Sequence, residues 1–193
     1  MNFSMKSIKS HRVQLFANRT IFCSARPSGG RVAAAAQAGF NLNKALDKAH
    51  ESKPLKEICN LPPSVLQGIA EHTDDSLAAL NINCVKDLGS WKYYKAAKAI
   101  AALASVEEAG ARPENAQSNI NKILKVQYEG KSIQDILSSP VYAFQGLTKE
   151  KAVAALEPLG VRSISDLAAW KYAAWAGAIT TLSKYENADF SSR

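Results

Sequence analysis

The stretch Asp87-Leu88-Gly89-Ser90-Trp91-Lys92-Tyr93 returns as Asp166-Leu167-Ala168-Ala169-Trp170-Lys171-Tyr172. Each occurrence follows a short apolar turn (Leu80-Asn81-Ile82, Leu159-Gly160-Val161) and precedes an alanine-rich run. A chain that repeats itself folds each copy under the same local rules, so this pair constrains the architecture more than any isolated motif. Ten residues from Asn41 to Gly68 recur 78 positions later, and twelve from Leu77 to Glu107 recur 79 positions later, one residue having been inserted between. These 22 identities among the 67 positions from 41 to 107, in order and with one insertion, read as an internal duplication. Copy one spans 40–108, a linker 109–117, copy two 118–187, and 188–193 is expected to be a frayed tail.

Apolar residues at helical spacing place a first helix over 42–52, with Leu42, Ala45, Leu46 and Ala49 on one face. Pro54 suits a first helical position and opens a short helix to about Cys59; Pro62-Pro63 opens another through Leu66, ended by Gly68. Thr73 is an expected N-cap with Asp74 and Asp75 in the first turn, a cheaper account of that acidic pair than acid–base catalysis. A short helix carrying Val85 and Leu88 follows, and in copy two Ser163-Ile164-Ser165-Asp166 has the form of a capping box. The longest helices are expected over 91–107 and 170–186. Their inner faces are Tyr93, Ala96, Ala97, Ile100, Leu103 and Ala104, matched by Tyr172, Trp175, Ala176, Ile179, Leu182 and Ser183. Tyr94-Lys95 against Ala173-Ala174 would be differing surface positions. No alternating pattern long enough for a strand occurs. The expected fold is therefore all-α: two tandem helical repeats, pseudo-twofold. The turn followed by a capped Asp-Leu helix resembles the second part of a helix-hairpin-helix unit, and also the C-terminal domain of bacterial RNA polymerase alpha subunits.

The net charge of +7 is unevenly placed. Residues 1–33 hold Lys6, Lys9, Arg12, Arg19, Arg26 and Arg31 with no acid, leaving 18 basic against 17 acidic residues in the remainder. The leader is rich in Ser and Arg, ends in Arg31-Val32 and four alanines, and lacks the apolar core of a secretory signal. We read 1–33 as a disordered transit peptide addressed to a plastid, with mitochondrial import the rival destination. No run approaches the roughly 18 apolar residues that span a bilayer.

Chemistry is sparsely represented. Beyond the leader stand Cys59 and Cys84, which align with Leu137 and Ser163, and His50 and His72, which align with Tyr128 and Glu150. Neither a disulfide framework nor a metal set is legible there. No phosphate-cradling loop or nucleophile elbow is present, so no catalytic, cofactor-binding or metal-ligating residue is assigned. Candidate docking residues are Trp91, Lys92, Tyr93, Trp170, Lys171 and Tyr172, which offer two aromatic platforms each with a cation. The competing account makes the rings core anchors and lets the lysines snorkel to solvent, since every copy of a repeat must supply its own anchors. Arg162, beside the glycine turn of copy two, is the candidate for a phosphate contact. Against that stands the near-neutral charge of the body, which weakens any phosphate-driven affinity.

Over residues 40–187 the chain shows Asn-x-Asn-Lys-x-Leu, Lys-x-Leu-x-Glu-Ile, Pro-x-x-x-x-Gln-Gly and Leu-Gly-Val-x-Ser-Ile-x-Asp-Leu-Ala-x-Trp-Lys-Tyr in order, the last carried by copy two. This order resembles plastid-targeted tandem-repeat helical proteins of red algae and of algae with red-derived plastids. Some of these are similar to the pigment-free linker subunits that sit among chlorophyll a/c antenna proteins and a photosystem core in cryptophytes. The resemblance implies a non-enzymatic, cofactor-free adaptor in the stroma, on the stromal side of the thylakoid membrane, with photosystem core and antenna proteins as partners. The alternatives from the residues alone are a plastid nucleic-acid-binding helix-hairpin-helix protein and an enzyme regulator.

Overall fold

The computed structural model describes residues 41–108, 110–111 and 114–187. The leader assigned to 1–33, the tail at 188–193 and linker positions 109, 112 and 113 lie outside the described residues. Among the described residues the structure is helical and carries no strand, as the periodicity predicts. Copy one supplies α1 (Leu55–Ile58), α2 (His72–Ala78), α3 (Val85–Ser90) and α4 (Lys92–Ala104). Copy two supplies α5 (Ile133–Ser138), α6 (Lys149–Leu156), α7 (Ile164–Ala169) and α8 (Lys171–Leu182).

The helix expected over 42–52 does not form. A single turn carries Leu42 and Leu46, after which Asp47 is extended (φ −69°, ψ 146°) and a 3-10 turn occupies Lys48–His50. Asp47 N donates to Val65 O and Gln67 N to Ala45 O, so Leu46 pairs across the chain with Leu66. Leu46 is fully buried while Ala49 is exposed. Burying one leucine takes one turn, and so short a segment gains little from propagating a helix. Copy two repeats the device with Leu124 opposite Phe144.

Three further expectations are revised. Pro54 sits one residue before α1, in an extended conformation, rather than at its first helical position. Thr73 lies buried inside α2, which begins at His72 without a side-chain cap; Asp74 instead accepts Ser64 N at 3.0 Å and ties α2 to the preceding 3-10 turn. Tyr94 and Ala173 belong to the core, while Lys95 and Ala174 face solvent. The capping box at Ser163 and Asp166 is present.

The α3–α4 and α7–α8 corners each turn on a tryptophan outside both helices, Trp91 with ψ 121° and Trp170 with ψ 108°. The corner sends each long helix away from its own copy. α4 packs on α5 and α7, whereas α8 packs on α1 and α3, and α2 meets α6. One core results, in which Leu46, Ile58, Leu77 and Leu88 share their surroundings with Phe144, Leu156 and Leu167. Small residues permit the crossings: Ala97 and Ala176 are fully buried, and Gly89 of α3 lies directly against the backbone of α8 at Ala176. The long helices end earlier than spacing suggests, at Ala104 and Leu182. Leu103 and Leu182, expected on the inner faces, lie within the last turns of these helices but outside the contact face, 54% and 47% exposed.

Candidate functional site

The Trp-Lys-Tyr triplets occupy like environments. Trp91 and Trp170 are 7% and 5% exposed. Tyr93 meets Trp91 edge-on at 5.4 Å between ring centroids, and Tyr172 meets Trp170 likewise at 6.2 Å. Both tyrosine hydroxyls then reach into the other copy: Tyr93 donates to Gln145 O at 2.8 Å and Tyr172 to Gly68 O at 3.0 Å. The rings therefore point inward, as core anchors do, and offer no open platform for stacking. The exposed parts are the lysines, with Lys92 Nζ 4.7 Å from the Tyr93 ring centroid and Lys171 Nζ 4.7 Å from that of Tyr172 and 5.3 Å from that of Trp175. The first triplet itself lines a shallow hollow of about 340 Å³, where the small exposed parts of Trp91 and Tyr93 meet Asn81, Asp87, Lys92 and Lys151.

Glycine explains why the hydroxyls can approach. Gly68 (φ +103°) and Gly146 (φ +93°) take a backbone conformation that side chains resist, and a Cβ there would lie 2.5 Å and 2.6 Å from the Tyr172 and Tyr93 hydroxyl oxygens. The Gln-Gly pair and the triplet tyrosine are thus two halves of one contact, made once in each direction.

The hairpin turns are closed to phosphate by the protein's own acids. Asn81 (φ 61°) takes the left-handed conformation that Gly160 (φ 78°) takes in copy two, so the turn survives without glycine. Asn83 N donates to Asp87 at 3.1 Å; Arg162 N and Ser163 N donate to Asp166 at 3.1 and 2.9 Å. The Ser163 backbone bond, with those of the Ser163 hydroxyl and Arg162 N and the nearby Arg162 charge, holds the Asp166 carboxyl below its usual range. The N–H groups such a turn would present to a nucleic-acid backbone already have acceptors. The Arg162 side chain is exposed, but the cradle beside it is filled.

Two features of the site went unread in the sequence. The Glu186 carboxylate accepts Leu55 N (2.7 Å) and Lys56 N (2.9 Å) at the start of α1. Glu107 accepts Ile133 N and Gln134 N, both at 2.9 Å, at the start of α5. Each glutamate follows the long helix of one copy, three or four residues past its end, and holds the first helix of the other. Their recurrence among the matched positions was the available signal. Immediately before each lies an exposed apolar pair: Leu103 and Val106 (75% exposed), and Leu182 and Tyr185 (80% exposed). Leu103 also lines an open groove of about 580 Å³ with Ile120, Leu124, Ile133 and Ile136.

Cys59 is buried; Cys84 is half-buried, and burial pushes its thiol up. Among the described residues no group of three or more His, Cys, Asp and Glu is placed to hold a metal ion, and no helix is long and apolar enough to cross a membrane. Comparison with protein-family models, with curated proteins and with solved structures gave no match.

Proposed function

We propose that this chain is a non-enzymatic plastid adaptor that bridges photosynthetic membrane complexes, photosystem core and light-harvesting antenna proteins, from the stromal side of the thylakoid. The observation carrying the reading is the pair of exposed apolar sites, Leu103 with Val106 and Leu182 with Tyr185, at matching positions of the two copies. A single exposed leucine is unremarkable on a protein surface, but a leucine with a second large apolar residue exposed at the end of both long helices suits docking. Reciprocal contacts between the copies support a pseudo-twofold arrangement, which would present two similar and unequal faces, as a bridge between unlike partners requires. The acid-free leader supports plastid import. Lys92, Lys171 and Arg162 supply exposed positive charge near the corners and hairpins.

Thylakoid fractionation with affinity purification tests this. The chain should co-purify with photosystem or antenna proteins at native salt. L103E/V106E and L182E/Y185E, surface changes that leave the core untouched, should each lose a different subset of partners. A protein wholly in the soluble fraction and unassociated would end the adaptor reading; loss of the same partners from both variants would end its bivalent form.

A further inference from the structure

We propose that two copies of this chain exchange halves, copy one of each folding against copy two of the other through the interface that otherwise closes a single chain. The inference rests on contacts inside the chain and is independent of the adaptor reading. The principal helix packings, α3 on α8 and α4 on α5 and α7, run between copies. So do the polar ties: Tyr93 to Gln145, Tyr172 to Gly68, Glu107 to the start of α5 and Glu186 to the start of α1. A copy by itself leaves its long helix and the opening N–H groups of its first helix without partners. Any chain that supplies the other copy satisfies them. The described linker residues 110–111 and 114–117 are exposed or nearly so, and exchange alters only their path.

The interface also selects which copy pairs with which. Gly89 of copy one lies against the Ala176 carbonyl, and Tyr94 comes within 4.0 Å of the position a Cβ would take at Gly177. The matching residues of the opposite copies are Ala168 for Gly89, Ala173 for Tyr94 and Lys98 for Gly177. In the geometry of the α3–α8 crossing, pairing copy two with copy two would set the Ala168 methyl against the Ala176 backbone, whose carbonyl carbon stands 2.6 Å from a Cβ built on Gly89, so that crossing would have to open. Exchange is therefore one-to-two, and it closes when two chains have met.

Exchange adds no contact, so its extent follows the ratio of chain concentration to the effective concentration of the linked halves, on the order of millimolar for a short flexible connection. The test refolds the full-length chain from denaturant, under reductant to keep Cys23, Cys59 and Cys84 as thiols, at ~1 µM and at ~1 mM, the first far below that value and the second close to it. Size-exclusion should show monomer alone at the lower concentration. At the higher one a dimer approaching half of the protein should appear and persist on dilution, because separating it requires unfolding. A full-length variant with a protease site inserted between Glu114 and Gln117 identifies the exchange. Cutting its isolated dimer should yield monomer-sized particles holding one copy one and one copy two. Monomer alone at both concentrations, aggregation without a discrete dimer, or a dimer that keeps its size after cutting would each overturn the proposal; the wild-type series gives the concentration readout should the insertion impair folding.

Discussion

Gly89→Ala isolates the closest helix crossing. A Cβ built on Gly89 stands 2.6 Å from the Ala176 carbonyl carbon and 2.7 Å from Thr180 Oγ1, and the Ala176 oxygen is nearer still. Carbon contacts settle at about 3.5–4.0 Å, so α8 would have to retreat by roughly 1 Å along the crossing. Backbone held in a helix cannot swing aside as a side-chain tip can. Against this, alanine improves helix propensity over glycine by about 0.8–1.0 kcal/mol. Overpacking a filled core costs about 1–3 kcal/mol and more where backbone must move. The net expectation is a loss of about 1–2 kcal/mol, which for a chain of this size lowers Tm by about 2–8 °C. Gly177→Ala is the control. Its Cβ would lie 3.6 Å from Gly89 O, an ordinary contact, so it should keep the propensity gain and melt higher than wild type. Thr180→Ala should not rescue Gly89→Ala, since the Ala176 carbonyl remains in the way. Thermal melts followed by far-ultraviolet circular dichroism decide the matter. A Gly89→Ala protein melting at or above wild type would refute the close approach of α3 and α8.

Removing the carboxylate with Glu186→Ala strips the acceptor from two N–H groups of α1 and should cost about 1.5–3 kcal/mol as charged hydrogen bonds, toward the lower end because Lys56 N is exposed; Glu107→Ala should behave alike in urea titrations. Tyr172→Phe deletes one hydrogen bond across the copies and should cost about 0.5–1.5 kcal/mol in the same assay. Trp170→Ala should cost about 3–5 kcal/mol because the ring is buried, and Lys171→Ala no more than about 1 kcal/mol, the scale of an exposed ammonium over the Tyr172 and Trp175 rings. Asp166 has its folded-state pKa lowered by the Ser163 and Arg162 N–H groups, so its contribution is complete above the unfolded carboxyl value near 4 and disappears as pH falls through the lower folded value; Asp166→Asn should flatten that part of a Tm-against-pH curve below pH 4.

The elements with strong local causes were legible in the sequence. Helices α3, α7, α4 and α8 follow from apolar spacing, the Ser163–Asp166 capping box from residue type and position, and the left-handed turn from Gly160. Asn81 adopts that turn in copy one because its short polar side chain tolerates the conformation, so the missing glycine did not mean a missing turn. The segment 42–52 failed because a helical spacing of four apolar residues is also met by one turn plus a distant pairing, and the partner Leu66 is invisible to a local pattern. Thr73 failed for a similar reason: Asp74 and Asp75 do stand in the first turn of α2, but Asp74 is engaged by the backbone of Ser64, ten residues away, and no local pattern announces that contact.

The triplets show how repetition can mislead about partners. A residue kept in both copies is one that each copy needs, but identity cannot say whether its contact lies within its own copy or in the other, because both arrangements put the same residue types together. Tyr93 and Gln145, or Glu186 and Leu55, would look the same in sequence had they met inside one copy. The positions that differ break this degeneracy. If the long helix packed on its own copy, Gly89 would face Ala97 and Lys98, and Tyr94 would be accommodated by its own neighbours. Instead Gly89 stands against Ala176 and Tyr94 beside Gly177, so the smallest residues of each copy lie where the other copy's helix comes closest. Differences between the two matched halves therefore carry the contact information that their identities conceal, and Gly89 and Gly177 are where this chain records it.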